Sequence, residues 1–505
     1  VRPTKKGAHC EGVTKFSKTF YLARSLGWHV EGHAPMGPDI RDRETMVRGA
    51  QHRINRQIPK SDPGKMRRFR EFVRVWCRKN LCPLDVNSDT SIEHWLGETN
   101  YPEWRKQQLR EAVDSKRNLF KNKSFIKREF YDEPKHARWI NSRSDGFKVR
   151  TGPIFHLIEK EIFKQRFFVK YIPVPDRSKY VREYLERPGF KYMATDHTSF
   201  EAHITPHMMK TVEMQVYSYM TKNLAERGTF ISLLKQGLLT EQKCLAHNSC
   251  SRVNNTTFAR MSGDMCTSLG NGLTNLLVMQ FIAHELGWTE CEGVVEGDDG
   301  LFRVSGPIPS SEDFASLGFT IKADISDRIG DAGFCQIYFS NDSDENIVNP
   351  TKILLRGGWT MSSALHGGDK ILRELSRTKA FSILCESPRN PITRCMANWI
   401  LRSTEGSGMK FDESEKWWAE QCFSKEIYER IVRSEEGPTI GMRLFVEDKW
   451  GISIKDQLHI ERYFDNKNGL SPIRDPVIKR VCATSWSEWS WNHHVVFAKK
   501  GESWS

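Results

Sequence analysis

The chain has 505 residues, 38% of them hydrophobic and 11% aromatic, enough for a substantial interior divided among several domains or sub-lobes. Its net charge of +13 favours a polyanionic partner, because basic surface attracts phosphate and releases condensed counterions. The 12 cysteines follow no repeating spacing, which excludes a disulfide framework and reads as reduced, mostly buried thiols; no stretch resembles a signal peptide, and no apolar run reaches membrane-spanning length.

In chain order, residues 1–60 are punctuated by Gly32, Pro35, Gly37 and Pro38 and are expected to be irregular or extended. Between Arg41 and Asn80 there are 13 Lys or Arg against 4 Asp or Glu, a strongly basic stretch. Within it Met66, Phe69, Phe72, Val73 and Trp76 keep helical spacing, predicting a helix over Pro63–Asn80 with arginines on its other face. Residues 92–133 are expected to be helical and highly charged, 134–150 basic and turn-rich, 153–163 helical, and 167–174 β-like. A strand over 190–195 leads into Asp196, and 294–304 folds back on itself around Gly-Asp-Asp-Gly. Residues 267–286 form a helix that is apolar on several sides and should therefore be buried. Helices are predicted over 368–385, 390–403, 413–434 and 455–465. No internal repeat or low-complexity tract is present.

Three short segments carry the chemistry. Thr195-Asp196-His197-Thr198-Ser199-Phe200-Glu201 puts two carboxylates five apart at the end of a strand. Ser262-Gly263-Asp264-Met265-Cys266-Thr267-Ser268-Leu269-Gly270-Asn271 opens the buried helix, and Glu296-Gly297-Asp298-Asp299-Gly300 sits between two apolar β-runs. Alone, the last is a favourable hairpin turn and the second an ordinary helix start. Their order, with Asp196 and Asp298 separated by 102 positions and the Ser-Gly segment between them, points further. Nucleotidyl transfer builds negative charge on both the attacking hydroxyl and the leaving pyrophosphate. Two Mg²⁺ ions roughly 3.5–4 Å apart stabilise both oxygens. Such ions need hard oxygen ligands, which carboxylates on two strand ends supply.

These segments resemble motifs A, B and C of the RNA-dependent RNA polymerases of positive-strand RNA viruses, closest to the tombusvirus- and carmovirus-like set, with nodavirus-like features. The stretch from Ser262 to Asn275 is the most specific. Lys135 to Arg143 resembles the basic motif F, Leu317 to Lys322 motif D, Phe334-Cys335-Gln336 the start of motif E, and Arg443 to Glu461 a thumb segment. The resemblance implies that Asp196, Asp298 and the accessory Asp299 hold metal. It implies that Ser262, Thr267 and Asn271 sense sugar and template, and that Lys135, Arg138 and Arg143 meet the triphosphate. Lys322 would donate a proton to pyrophosphate. Gly263, Arg67, Arg68 and Cys335 would touch RNA. Glu201 departs from the family pattern, which has Asp there, and is expected to act in ribose discrimination with a geometry shifted by one methylene.

The resemblance implies an α+β, right-hand polymerase fold with a small antiparallel palm sheet, helices on one of its faces, and a mainly helical thumb. Fingers would span 41–189 and 205–258, palm 190–204 and 259–355, and thumb 356–505, with residues 1–40 bridging fingers and thumb. The implied activity is template-directed RNA synthesis from ribonucleoside triphosphates with two Mg²⁺, for which Mn²⁺ can substitute. The implied partners are template and product RNA and other viral replicase proteins. The implied location is the host cytoplasm, at membrane-associated complexes reached through a partner or a segment outside this chain. The alternatives are a reverse transcriptase, disfavoured by Ser-Gly-x-x-x-Thr-x-x-x-Asn and the Gly before the Asp pair, and an RNA-binding replication or assembly protein on a degenerate polymerase fold. Cys244, His247 and Cys250 lack a fourth zinc ligand. Trp486-Ser487-Glu488-Trp489-Ser490 matches a receptor-ectodomain motif but lacks its secretory and cysteine context, and is expected to pack on the thumb or reach the RNA channel.

Overall fold

A computed structural model describes residues 2–3, 23–40, 42–115, 119–247, 252–361, 367–411 and 436–495. The helix expected over 413–434 and the cysteine at 250 lie outside the described residues. The Pro63–Asn80 helix has the predicted bounds, and local chemistry explains them: Asp62 caps the first turn by accepting from Lys65 N, and Pro follows at the first helical position. Met66, Phe69, Val73 and Trp76 are its buried face.

Several elements differ from the sequence expectation. The helix expected from 153 begins at Asp145, where the Ser144 hydroxyl accepts from Phe147 N, and it runs through Pro153 to Ile162. Among its described residues the charged stretch 92–133 has helices at Ile92–Glu98 and Glu103–Glu111, then a strand at Asn122–Ile126. That strand buries Asn122 and Ser124 and leaves Phe125 half exposed, the reverse of an apolar-in pattern. Across the sheet Ser124 Oγ donates to Asn141 Oδ1 at 2.7 Å and Asn122 Nδ2 donates to Lys243 O at 3.4 Å. It joins Arg2–Pro3, Arg252–Thr257, Gln242–His247 and Trp139–Arg143 in a five-stranded sheet. Residues 167–174 form turns, with one bridge from Phe168 to Val295.

The central sheet is antiparallel and four-stranded, in the order Ile321–Ser326, Lys191–His197, Asp299–Val304, Gly293–Glu296. On one face Met193, Val295 and Phe302 pack in the core that holds the Thr267–Glu285 helix, through Leu269, Leu273 and Leu277. The other face is covered too, contrary to expectation: Tyr192, Val294 and Leu301 meet Val181 and Leu185 of the Arg177–Leu185 helix, together with Phe334 and Phe339. Adjacent large apolar residues point to both sides of three of the strands, as in Tyr192-Met193, Val294-Val295 and Leu301-Phe302, and this demands two covers.

A third core is helical, from Asp369–Glu386, Thr393–Ser403, Ile440–Trp450 and Ile454–Asn466. The segment 23–40 enters this core: Trp28 is fully buried, lies edge-on to Trp399 at 6.0 Å, and donates to Ser376 Oγ at 3.1 Å. Further along, Met36 pairs with Tyr131, beside the basic segment. Trp486 and Trp489 sit half exposed on a short helix, and Trp491 packs on His29 and Trp359.

Candidate active site

Glu296 and Asp299 pair across the central hairpin, leaving Gly297 and Asp298 as a two-residue turn. Gly297 has φ +61, the left-handed value that the first central position of such a turn requires. Gly300 is needed for closeness, since a Cβ there would lie 2.6 Å from Thr195 Oγ1 on the neighbouring strand. The turn is held from below by Asn275, whose Nδ2 donates to Asp298 O at 3.0 Å and Gly297 O at 3.4 Å. The sequence motifs alone assign Asn275 no role. Its signal is nonetheless present: Thr267, Asn271 and Asn275 recur every four residues and so share one helix face.

Asp196 ends the adjacent strand. The chain then turns through Ser199, at φ +58, into a four-residue helix, Phe200–His203, which carries Glu201. His203 ties this turn to the next strand: its Nδ1 donates to Ser199 O at 3.1 Å and its Nε2 accepts from Thr320 N at 3.2 Å. Lys322 stands directly opposite Asp196 in the antiparallel register, so both side chains leave the same face of the sheet.

The electrostatics show which groups converge. Burial, then the charges of Glu201 and Asp196, push the Asp298 carboxyl up to about 6, while the Arg138 guanidinium pulls it down. Burial, then Asp298 and Asp196, push Asp299 up to about 7, opposed by a hydrogen bond from the Cys335 thiol. Cys335 and Gln336 form the two-residue turn between Phe334 and Ile337, both in left-handed backbone at φ +52 and +64. That conformation costs non-glycine residues about 1 kcal/mol or more each, and it is what brings the thiol to Asp299. Among the described residues no three acidic, His or Cys groups stand at metal-ligand spacing, so the carboxylates shift one another without forming a ready cage.

The loop after Arg260 is built onto the Trp139–Arg143 strand. Gly263 N donates to Asn141 O at 3.1 Å, and a Cβ at Gly263 would lie 2.8 Å from that oxygen. The Ser262 hydroxyl donates to Trp139 O at 2.7 Å, and Thr267 Oγ1 donates to Met261 O at 3.1 Å. Arg143 is buried and fully engaged, with Nε on Asp264 at 2.5 Å and Nη1 on Gln242 at 2.5 Å. The structure thus gives Arg143 to the support of this loop. Arg138, at the other end of the strand, is half exposed and paired with Glu129. Asn271 Oδ1 is buried without a hydrogen-bond partner. Lys135 is exposed and pairs with Glu133 at 3.3 Å. Arg67 and Arg68 lie on the solvent face of the Pro63–Asn80 helix, Arg68 against Glu285 at 2.6 Å. Arg53, missed in the sequence, is partly desolvated among Arg138, Tyr131, Glu201 and Glu129. It lies in a π-helical turn, Ala50–Ile54, whose placement no local pattern announces.

The central sheet thus gathers acids at one hairpin, with Lys322 and Arg138 beside them, on an α+β frame. Residues 38–469 match the sequence model of the family described as viral RNA dependent RNA polymerase. The chain belongs to that family, and its activity is RNA-directed RNA synthesis. No curated protein matched the chain.

Proposed function

We propose that Asp196, Asp298 and Asp299 are the metal-holding acids of this polymerase, in a replicase closest to the tombusvirus- and carmovirus-like group with a fingers, palm and thumb arrangement. The observation that carries this reading is the crowding of Asp298 by the charges of Glu201 and Asp196, with Asp299 beside it, so that the Asp298 and Asp299 carboxyls are both pushed up. Such a set suits divalent cations, whose charge would favour the ionised carboxylates. Bound Mg²⁺ or Mn²⁺ would supply charge stabilisation for the attacking and leaving oxygens. Arg138, and Arg53 beside it, face this centre and would neutralise the incoming triphosphate. Lys322, across from Asp196, would hold the proton that pyrophosphate takes as it leaves. Glu201 and Asn271 would read the ribose: the buried Asn271 Oδ1 needs a donor, and a sugar lacking its hydroxyl leaves it unpaired.

The test is extension of an RNA template–primer with labelled ribonucleotides and, separately, deoxyribonucleotides. Glu201→Gln is expected to lower the ribose preference by about tenfold, as loss of one charged hydrogen bond does. An unchanged preference would remove Glu201 from sugar recognition. Lys322→Arg keeps the charge but raises the pKa, so the single-turnover rate is expected to fall by about 10²-fold with substrate affinity retained. An unchanged rate would return Lys322 to the solvent. The replicase would work with other viral proteins at membrane-associated complexes in the host cytoplasm, reached through a partner or a segment outside this chain; no described helix is long and apolar enough to cross a membrane.

A further inference from the structure

His197 follows Asp196 on the Lys191–His197 strand, so its side chain leaves the opposite face of the sheet, toward the Thr267–Glu285 helix. It is 4% exposed and ringed by Phe200, Phe314 and Phe319, with ring centroids 4.7, 6.3 and 5.5 Å away. A phenylalanine would fill that space with no polar atom to satisfy. The imidazole instead buries two nitrogens, and one of them, Nδ1, has no hydrogen-bond partner. An unpaired polar atom in a core is costly, which directs attention to the other nitrogen.

Nε2 lies 3.4 Å from Asn275 Oδ1. The same amide donates from Nδ2 to Asp298 O at 3.0 Å and Gly297 O at 3.4 Å. Backbone carbonyls only accept, so the amide has one orientation, with its nitrogen toward the turn and its oxygen toward the ring. That oxygen also only accepts, so the proton sits on Nε2 and the lone pair on Nδ1. A flipped amide would set Oδ1 against two carbonyl oxygens. The amide is also hemmed in, since a Cβ at Gly300 would lie 3.2 Å from its Nδ2. Three segments of the acidic centre thus meet at one side chain: the Asp196 strand through His197, the helix through Asn275 itself, and the hairpin through Gly297 and Asp298.

We infer that His197 is a positioning residue for RNA synthesis: its Nε2–H fixes the Asn275 amide, and the amide fixes the turn that aims the Asp298 carboxylate. The inference rests on the reading of Asp298 as a metal-holding acid. Without the donor, Asn275 Oδ1 becomes a buried acceptor with no partner. The amide then rotates or takes up water, and the turn carbonyls lose their shared donor. Neither change touches the basic residues that face the triphosphate or the RNA. The loss therefore falls on turnover and on the metal requirement rather than on substrate binding, as it does when a group that orients a metal-holding side chain is removed.

Two measurements on the whole chain test this. The first is the NMR spectrum of the unaltered chain carrying ¹⁵N-labelled histidine, in chelator. The His197 signal, identified by its absence from His197→Gln, is expected to show a proton on Nε2 and none on Nδ1. A proton on Nδ1 alone would overturn the inference, since Asn275 Oδ1 would then face a lone pair. The second is extension of an RNA template–primer at varied Mg²⁺ and nucleotide. His197→Phe keeps the ring packing and removes the donor; kcat is expected to fall about 10–100-fold and the Mg²⁺ requirement to rise, with nucleotide KM retained. His197→Gln, whose amide N–H can take the place of Nε2–H, should recover most of that loss. In an Asn275→Leu background, His197→Phe should cost little more, because the route through the amide is already cut. Full turnover in His197→Phe, or losses that multiply in the double variant, would overturn the inference; should His197→Phe not fold, the spectrum decides. Asp298→Asn run alongside keeps the two readings apart. Synthesis retained there displaces Asp298 itself, whereas an inactive Asp298→Asn beside a fully active His197→Phe overturns the role of His197 alone.

Discussion

Asp298→Asn is expected to lower RNA synthesis by at least about a thousandfold and, at the same time, to stabilise the metal-free protein above pH 7. The two effects share one cause. Asp298 is held at about 6 in the folded chain, against an ordinary value near 3.8. The folded state therefore keeps a proton that the unfolded state has lost, and stability falls as pH rises from about 4 through 6. Asp299, pushed up to about 7, extends that loss toward neutral pH. At pH 8 both acids are ionised side by side, and removing one charge should raise the unfolding midpoint. Denaturant unfolding in chelator at pH 5 and pH 8 measures this: the variant should gain at pH 8 and much less at pH 5. Mg²⁺ should stabilise the parent chain and do little for Asp298→Asn, since a ligand stabilises only the state that binds it. Retained synthesis in the variant would displace Asp298 from the reaction centre. No gain at pH 8 would mean that burial there is not costly.

Arg260→Met should be the most destabilising single change away from the acids, by about 3–5 kcal/mol. The Arg260 and Glu213 side chains are each about 1% exposed and bonded to each other. Arg260 also donates to Cys266 O at 3.2 Å, and Tyr217 donates to Glu213 at 3.0 Å. Gly270 makes the approach possible, for a Cβ there would collide with Glu213 Oε2. The substitution strands a buried carboxylate in the wall of the loop that bears Ser262 and Thr267. Adding Glu213→Gln should recover much of the loss, so the double variant costs less than the sum of the two. Strict additivity in denaturant unfolding would show that the two groups do not act as a pair.

Much of the acidic centre was legible because its parts are local. A strand ending in Asp196, a hairpin around Gly297 and Asp298, and a helix opening at Thr267 each depend on nearby backbone preferences and hydrophobic period. Arg143 shows the opposite case. A basic residue in a basic segment looks like an anion contact, but across 121 positions Asp264 claims its guanidinium. Asn122 and Ser124 likewise look like turn residues, yet they are the buried side of a strand, where Asn141 accepts from Ser124 and Lys243 O accepts from Asn122 Nδ2.

By itself, then, the sequence determined the α+β class and the elements that bear the acidic residues, since residue type and short-range spacing set charge, turn geometry and helical or strand period. Only the tertiary structure decided that Asp264 claims the Arg143 guanidinium, that both faces of the central sheet are covered, and that Asn275 and Cys335 reach the acidic hairpin. Those outcomes rest on burial and on pairings between residues far apart in the chain, where a side chain's partner, rather than its type, sets what it does.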